Sequence, residues 1–481
     1  MEQMSATKRT ISLEFTDHDD GPTYRAMAIG DYLGETVVRS MSLGMQNVQL
    51  RDNSRTKPQI KKVETQFSGF DSVDEPKVEF GSKHTNLVAR SNWKLDDASL
   101  PAIPSYYPME KTSHFVPADT ASPTVIAALV SDACVKMSVF AQYNGEKGMA
   151  LCTSADFIEF YVFLFKTSAE NDGRGDGTVV EVQRRKGCTL SFHRYARKIL
   201  SAVRGEKDVD FEEVSPCVAP IISDKILGNV CECLVTERKY TLDALEIAGN
   251  LLTKERFDAN ILGMESLCLL TDSKRSGTLT SALVSRVILC GTMRPTDGST
   301  PAKEGVTEQT NLDEEAFLIQ SLDIRSRILS LIQCRKLSQH DEDEEEDFEL
   351  MSHQEALGDD HVSQMHYLAL AALSNALTNI AKDGALGVTC SQQPWLNGTE
   401  LVSTLIGVLK QAESRPHEAV LSARCLGNLV QASMEATERA FKMDALSVVE
   451  AAKRVGQSHH AALERETGGL QKQLSCRAVN A

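Results

Sequence analysis

The stretch Leu421-Ser-Ala-Arg-Cys-Leu-Gly-Asn-Leu-Val-Gln-Ala-Ser433 carries the pattern on which the reading of this chain turns. Ala419, Ala423, Leu426 and Val430 fall at i, i+4, i+7 and i+11, one apolar stripe on a helix, while Arg424, Gln431 and Glu435 face elsewhere. Small residues within the stripe let neighbouring helices approach closely. That suits an inner helix of an α-solenoid, whose stacked units bury surface that no single helix could bury alone.

Around this stretch the chain runs to 481 residues, with 42% hydrophobic residues and a formal charge of −16. That length supports two or three domains with a sizeable core. The acidic balance disfavours general nucleic-acid binding, because tracking phosphates requires a basic field, so any anion site has to be a local cluster. The twelve cysteines are scattered without a Cys-x-x-Cys pair, which suits a reducing compartment. Cys231-x-Cys233 lacks a second ligand pair and reads as core cysteine, so no metal or cofactor is expected. No signal-peptide run and no span of ~20 apolar residues is visible. The expectation is a cytoplasmic protein, with a nuclear or peripheral membrane location as the alternative. In that setting Asn397-Gly-Thr399 as a glycosylation acceptor and Arg174-Gly-Asp176 as an adhesion tripeptide lose meaning.

The fold class expected is an α+β module followed by an all-α helical repeat domain. Residues 1–112 are polar, of mixed charge, and expected to be largely disordered, with a short amphipathic pattern at 24–45. Residues 113–205 read as a small domain: a helix over 123–134, four antiparallel strands at 135–142, 147–153, 157–167 and 178–184, and a helix over 195–203. Both helices should pack on one face of the sheet. Helices then dominate 215–455, with loose inserts at 292–311 and 339–360, the second carrying the acidic block 341–347, and a flexible tail at 456–481. The helices are expected at 218–236, 242–254, 260–270, 279–289, 313–332, 361–381, 399–410, 417–431 and 435–455.

The run Val179-Val-Glu-Val-Gln-Arg-Arg-Lys-Gly-Cys-Thr-Leu-Ser-Phe-His-Arg-Tyr-Ala-Arg-Lys-Ile-Leu200 resembles the end of a kinase-associated C-terminal domain, with Arg184 and Arg185, Gly187 and Phe192 at the matching positions. No kinase motifs precede it. The resemblance implies binding of acidic phospholipid headgroups or an intramolecular contact. Independently of it, no acid stands between Glu181 and Glu206, whereas Arg184, Arg185, Lys186, Arg194, Arg197, Lys198 and Arg204 do. Arg194, Arg197 and Lys198 share a helix face, and Arg184 and Lys186 share one side of a strand. The two groups could converge on a phosphate or on anionic lipids, or form a solvated face that answers the acidic block of the same chain.

An aliphatic-Gly-Asn-aliphatic phrase recurs at Leu227-Gly-Asn-Val230, Ala248-Gly-Asn-Leu251 and Leu426-Gly-Asn-Leu429, with Leu373-Ser-Asn-Ala376 a near relative. Recurrence of one phrase in successive amphipathic helices marks repeats, and this one resembles armadillo or HEAT repeats. In armadillo proteins that bind extended peptides, the matching asparagines hold the peptide main chain, a role that would fall to Asn250, Asn375 and Asn428. The tryptophan four positions earlier is replaced here by Glu246, Ala371 and Arg424. Nuclear-signal recognition is therefore not expected, and an inter-repeat structural role is the other reading of these asparagines.

Catalytic patterns are missing: no nucleophile elbow, no phosphate loop, no dinucleotide fingerprint, and His361 and His366 stand five apart rather than four. The functional expectation is a non-catalytic scaffold that binds a protein or peptide partner on its helical surface. The alternative is a peripheral membrane adaptor that binds acidic phospholipids through 184–204.

Overall fold

The computed structural model describes residues 87–89, 91–95, 100–103, 109–167, 175–206, 230–293, 306–333 and 353–480, all within one compact unit, Pro76–Ala481. The region 24–45, Asn229, the side chains of Cys231 and Cys233 and the acidic block 341–347 lie outside the described residues, as does most of 1–112.

The first module follows from alternation. In β4 (Glu159–Thr167), Phe160, Val162 and Leu164 are wholly buried beneath two helices, while Tyr161, Phe163 and Phe165 form a ring ladder on the opposite face. Strands β2 (Phe140–Asn144), β3 (Met149–Thr153), β4 and β5 (Gly177–Lys186) are antiparallel neighbours. Helices α1 (Pro123–Lys136) and α2 (Thr189–Val203) share one core with the Phe160 face. Helix α1 starts where Ser122 accepts from the amide of Val125 and Pro123 takes the first turn.

Three expectations need correction here. The sheet has five strands, in the order β1-β5-β4-β3-β2, because β1 (Ser113–Pro117) pairs along the outer edge of β5. Only Phe115 and Val116 mark this short edge strand in sequence, too few for a period-two signal. The first expected strand, 135–142, begins late, since α1 runs on to Lys136 and the chain turns at Ser138, φ 55°. The module also starts before residue 113. Trp93, 1% exposed, stacks on Tyr143 at 5.3 Å, and the Ile103 amide donates to the Lys166 carbonyl at 2.9 Å.

The remainder is helical: α3 (Val230–Leu252), α4 (Phe257–Thr271), α5 (Ser273–Ser276), α6 (Thr278–Cys290), α7 (Val306–Leu322), α8 (Ile324–Gln333), α9 (His353–Lys382), α10 (Leu386–Gln392), α11 (Thr399–Lys410), α12 (Pro416–Ala432), α13 (Met434–Lys442), α14 (Ala445–His459) and α15 (Ala461–Asn480). One hydrophobic cluster runs from Leu245 to Leu474. Helix α9 packs on α4, α6, α8 and α12, α12 packs on α9, α11 and α15, and α15 packs on α14. The stripe of the opening stretch does bury: Ala419, Ala423, Leu426 and Val430 are at most 1% exposed.

Helix boundaries differ from expectation where a single residue decides. The span 313–332 divides at Asp323, φ 46°, and 435–455 divides at Asp444, φ 54°. Aspartate tolerates the left-handed region better than most residues, so the chain bends there without glycine. Conversely, the expected gap between 236 and 242 is continuous helix, with the Thr241 hydroxyl donating to the Glu237 carbonyl at 2.8 Å. Residues 306–311 and 353–360, placed in loose inserts by composition, belong to α7 and α9.

The expected flexible tail is likewise corrected. Leu463, Thr467, Leu470 and Leu474 repeat the i, i+4, i+7, i+11 spacing of α12 and are at most 2% exposed in α15. Gly456 allows α14 to meet α15, since a Cβ there would sit 2.4 Å from the Glu464 backbone nitrogen.

Candidate functional site

The α+β module and the helical array are stitched together by groups that lie far apart in sequence. The hairpin between β3 and β4 projects Phe157, at φ 55°, edge-on to Tyr367 of α9, with ring centres 4.9 Å apart. A positive φ is costly for a bulky residue and persists because the surroundings demand it. Gly187 closes over the back of this turn, where a Cβ would come within 2.9 Å of the Phe157 carbonyl oxygen. Asn92 donates to the Ser458 carbonyl at 2.7 Å, and the Ala462 amide donates to the Ser138 hydroxyl at 2.8 Å.

A histidine relay completes the junction. His417 Nε2 lies 3.0 Å from the Thr153 carbonyl, His460 Nε2 lies 3.0 Å from His417 Nδ1, and the Leu463 amide donates to His460 Nδ1 at 3.2 Å. A carbonyl only accepts and an amide only donates, so the proton order is forced: His417 carries its proton on Nε2, His460 carries its own on Nε2, and both are neutral. Burial lowers His417, and burial together with the neighbouring His417 pushes His460 down to about 3.

Beside the relay lies a cleft of about 910 Å³ walled by both parts of the chain. Lys136, Lys274, Lys382, Arg424 and Arg465 line it, against two carboxylates, Asp156 and Asp272. Asp272 is held by Arg275 at 3.4 Å. The protein around Asp156 raises its carboxyl by desolvation, opposed by Arg275 and by the Tyr195 hydroxyl at 3.5 Å. Burial in turn raises the Tyr195 and Tyr367 phenols, with the negative Asp156 adding to it.

The expected sites are redistributed. Arg184 faces the helix side of the sheet, opposite Phe160 in register, and donates to the Gly187 carbonyl at 2.8 Å. Arg185 lies over the Tyr161 ring on the other face, and it and Lys186 share Glu159 at 3.4 and 3.9 Å beside a shallow depression of about 550 Å³. A bulge between Glu159 and Phe160 separates Lys186 from the side on which Arg184 lies, correcting the expected pairing of those two. On α2, Arg197 turns back to the His193 carbonyl, Arg204 pairs with Glu206 at 3.0 Å, Lys198 is half-buried, and Arg194 neighbours Asp156. The seven cations therefore do not converge on one patch.

Asn375 donates to the Thr271 hydroxyl at 3.3 Å and lines the cleft, and Asn428 donates to the Thr378 hydroxyl at 3.1 Å. Both bridge neighbouring helices. Asn250 is exposed at the end of α3, where its carbonyl accepts from Thr253. Asn379, one turn beyond Asn375, is buried and bridges the Thr271 carbonyl at 2.8 Å and the Ser285 hydroxyl at 3.0 Å. Its spacing of four from Asn375 was the available signal. The cleft cations had none, since they come from five separate helices.

Cys188, exposed at the start of α2, has the amides of Leu190 and Ser191 against its sulfur, and these with Arg194 lower its thiol pKa. Iodoacetamide at pH 7 is expected to label Cys188 well before the buried Cys134, Cys152, Cys390 and Cys425, as read by peptide mass mapping. Equal labelling rates would refute this. Burial lifts Cys425 to about 12, which keeps that thiol protonated.

The class this arrangement defines is an α+β module locked to a mostly helical C-terminal array whose extensive helix-on-helix packing is compatible with a helical repeat. Comparison of the chain with protein-family models, curated proteins and solved structures finds no match. Among the described residues, no helix is long and apolar enough to cross a membrane, and no three or more His, Cys, Asp or Glu side chains are grouped to hold a metal ion.

Proposed function

We propose that this chain is a non-catalytic interaction scaffold that binds a protein or peptide partner on its helical array. The carrying observation is the succession of two helix sets of rising length, α10, α11, α12 and then α13, α14, α15, with the last helix of each packed beside its predecessor in the row α9, α12, α15. This agrees with the armadillo-like phrase at Leu373-Ser-Asn-Ala376 and Leu426-Gly-Asn-Leu429, which falls in α9 and α12. Stacked units of this kind serve as extended binding surfaces rather than as catalytic pockets.

The surface used is not the asparagine row. Asn375 and Asn428 are engaged between helices, and the α+β module covers α9 near Tyr367 and α12 near His417. The array instead exposes apolar side chains on its first helices, Tyr240 and Ile247 on α3 and Leu262 and Leu269 on α4, each pair seven residues apart and so on one helix face. Exposed apolar stripes of this sort mark partner contacts.

Affinity capture with the full chain should recover a partner whose yield falls about tenfold with Leu262→Glu/Leu269→Glu, a change the size of losing hot-spot contacts, while the melting temperature holds. Equal capture by that variant would refute the reading. The phospholipid alternative is weakened by the division of the 184–204 cations between two faces of the sheet.

A further inference from the structure

We propose that the cleft between the α+β module and helices α9, α12 and α15 binds a small, soluble organic polyanion bearing more than one phosphate group. The cations that line it, Lys136, Lys274, Lys382, Arg424 and Arg465, each come from a different helix. They outnumber the lining carboxylates by five to two in a chain whose formal charge is −16. Such a concentration does not arise from local sequence composition; the tertiary fold alone assembles it.

Part of this charge is already engaged. Lys136 pairs with Asp132 at 2.7 Å, and Arg424 and Arg465 share Glu466 at 2.9 and 3.9 Å. Among the lining residues five cations still stand against two carboxylates, and one of these, Asp272, is offset by Arg275. The cleft therefore keeps a net positive field that a multiply charged anion would satisfy.

Size and surroundings select the ligand class. About 910 Å³ lies within the ~300–1,000 Å³ range of small-molecule sites. A long polyanion such as nucleic acid would extend past the cleft over the acidic remainder of the chain and be repelled. A small one stays within roughly a Debye length, ~8 Å, of the lining cations. Phosphate esters suit the mixture of lysine point charges and arginine forks that line it, and Asn375 and the Tyr367 hydroxyl can serve the neutral oxygens of an organic body.

The test is calorimetric titration of the full chain with inorganic tripolyphosphate. Saturable binding that weakens with added salt is expected, together with a raised melting temperature. Lys274→Glu/Lys382→Glu, at two exposed positions, should weaken binding about tenfold or more. Arg185→Glu/Lys186→Glu, at the other depression, should leave it unchanged. If the first double variant does not fold, Lys382→Gln at the exposed end of α9 replaces it, with a smaller loss expected.

Absence of binding, binding unaffected by the cleft variants, or an equal loss from the sheet-face variant would each overturn the proposal. In a parallel arm, sedimentation with vesicles containing phosphatidylinositol bisphosphate asks whether the phosphates belong to a headgroup. Capture that depends on Lys274 and Lys382 without tripolyphosphate binding would overturn the soluble ligand. The proposal stands apart from the partner surface on α3 and α4, so Leu262→Glu/Leu269→Glu protein should bind tripolyphosphate as the wild type does.

Discussion

Glu418→Ala is expected to lower the unfolding free energy by about 3 kcal/mol, read as a fall in the urea midpoint with the slope of the transition unchanged. Glu418 of α12 and His366 of α9 are 7% and 1% exposed and meet at 3.3 Å, with Arg415 at 3.9 Å from the same carboxylate oxygen. The pair sits where the two central helices of the array cross. Alanine would remove the buried carboxylate that the imidazole and Arg415 both face. Desolvation of both groups has already been spent in the native fold, so losing one partner costs far more than the pair contributes as a unit.

The double replacement Glu418→Leu/His366→Phe should recover most of that loss, because an apolar pair of similar volume carries no desolvation cost. A single-variant loss below about 1 kcal/mol, or a double variant no better than the single, would contradict the assignment. In sequence His366 was legible only as one of several dispersed histidines. Its carboxylate partner lies on another helix, 52 residues along the chain.

Acidification from pH 7 to 5 is expected to weaken the fold by about 2 kcal/mol through His460 alone, with His417 adding in the same direction. The sign follows from the relay. Both imidazoles are neutral when folded, His460 with its pKa pushed down to about 3 and His417 lowered by burial. In the unfolded chain each takes up a proton near pH 6.5. Below that pH the unfolded state binds more protons, so stability is complete above the unfolded value and drains away as the pH falls toward the folded one.

Geometry explains why protonation is resisted. His417 Nδ1 already accepts from His460, and His460 Nδ1 already accepts from the Leu463 amide, so a new proton on either nitrogen would face a donor. His114, lowered by burial, adds in the same sense. Asp156, Glu181 and Glu265, raised by burial, oppose it, since the folded form of each takes up its proton first, but they act nearer the carboxylate range.

The relay is also the clasp between the two parts of the chain, so its failure should be seen there first. Amide exchange at pH 5 should rise at Thr153, Phe157 and Leu463 before it rises in α9. His460→Gln should flatten the pH dependence between 6.5 and 5. An unchanged slope in that variant would place the titrating groups elsewhere.

What the sequence determined on its own was whatever rests on local periodicity. Enrichment in β-branched and aromatic residues between turn residues marks 157–167 and 178–184 as strands, and the stripe of Ala419, Ala423, Leu426 and Val430 reports the buried face of α12, because helix geometry converts spacing directly into side. Where the pattern was short or diluted by polar residues, as in β1 and α15, it stayed below the level at which spacing speaks. The asparagine phrase was visible, yet whether Asn375 and Asn428 reach a partner or a neighbouring helix depends on which hydroxyl stands opposite, and the opposing residues Thr271 and Thr378 lie 104 and 50 residues away.

The tertiary structure alone decided the rest. It split the basic run 184–204, since a bulge between Glu159 and Phe160 puts Lys186 beside Glu159 and away from the face on which Arg184 lies. It gathered five cations that are nowhere adjacent in the chain around one cleft, and it turned two remote histidines into a clasp. Charge and hydrogen bonding act through space over a few ångströms, and only the packing of distant segments sets which groups come within that reach.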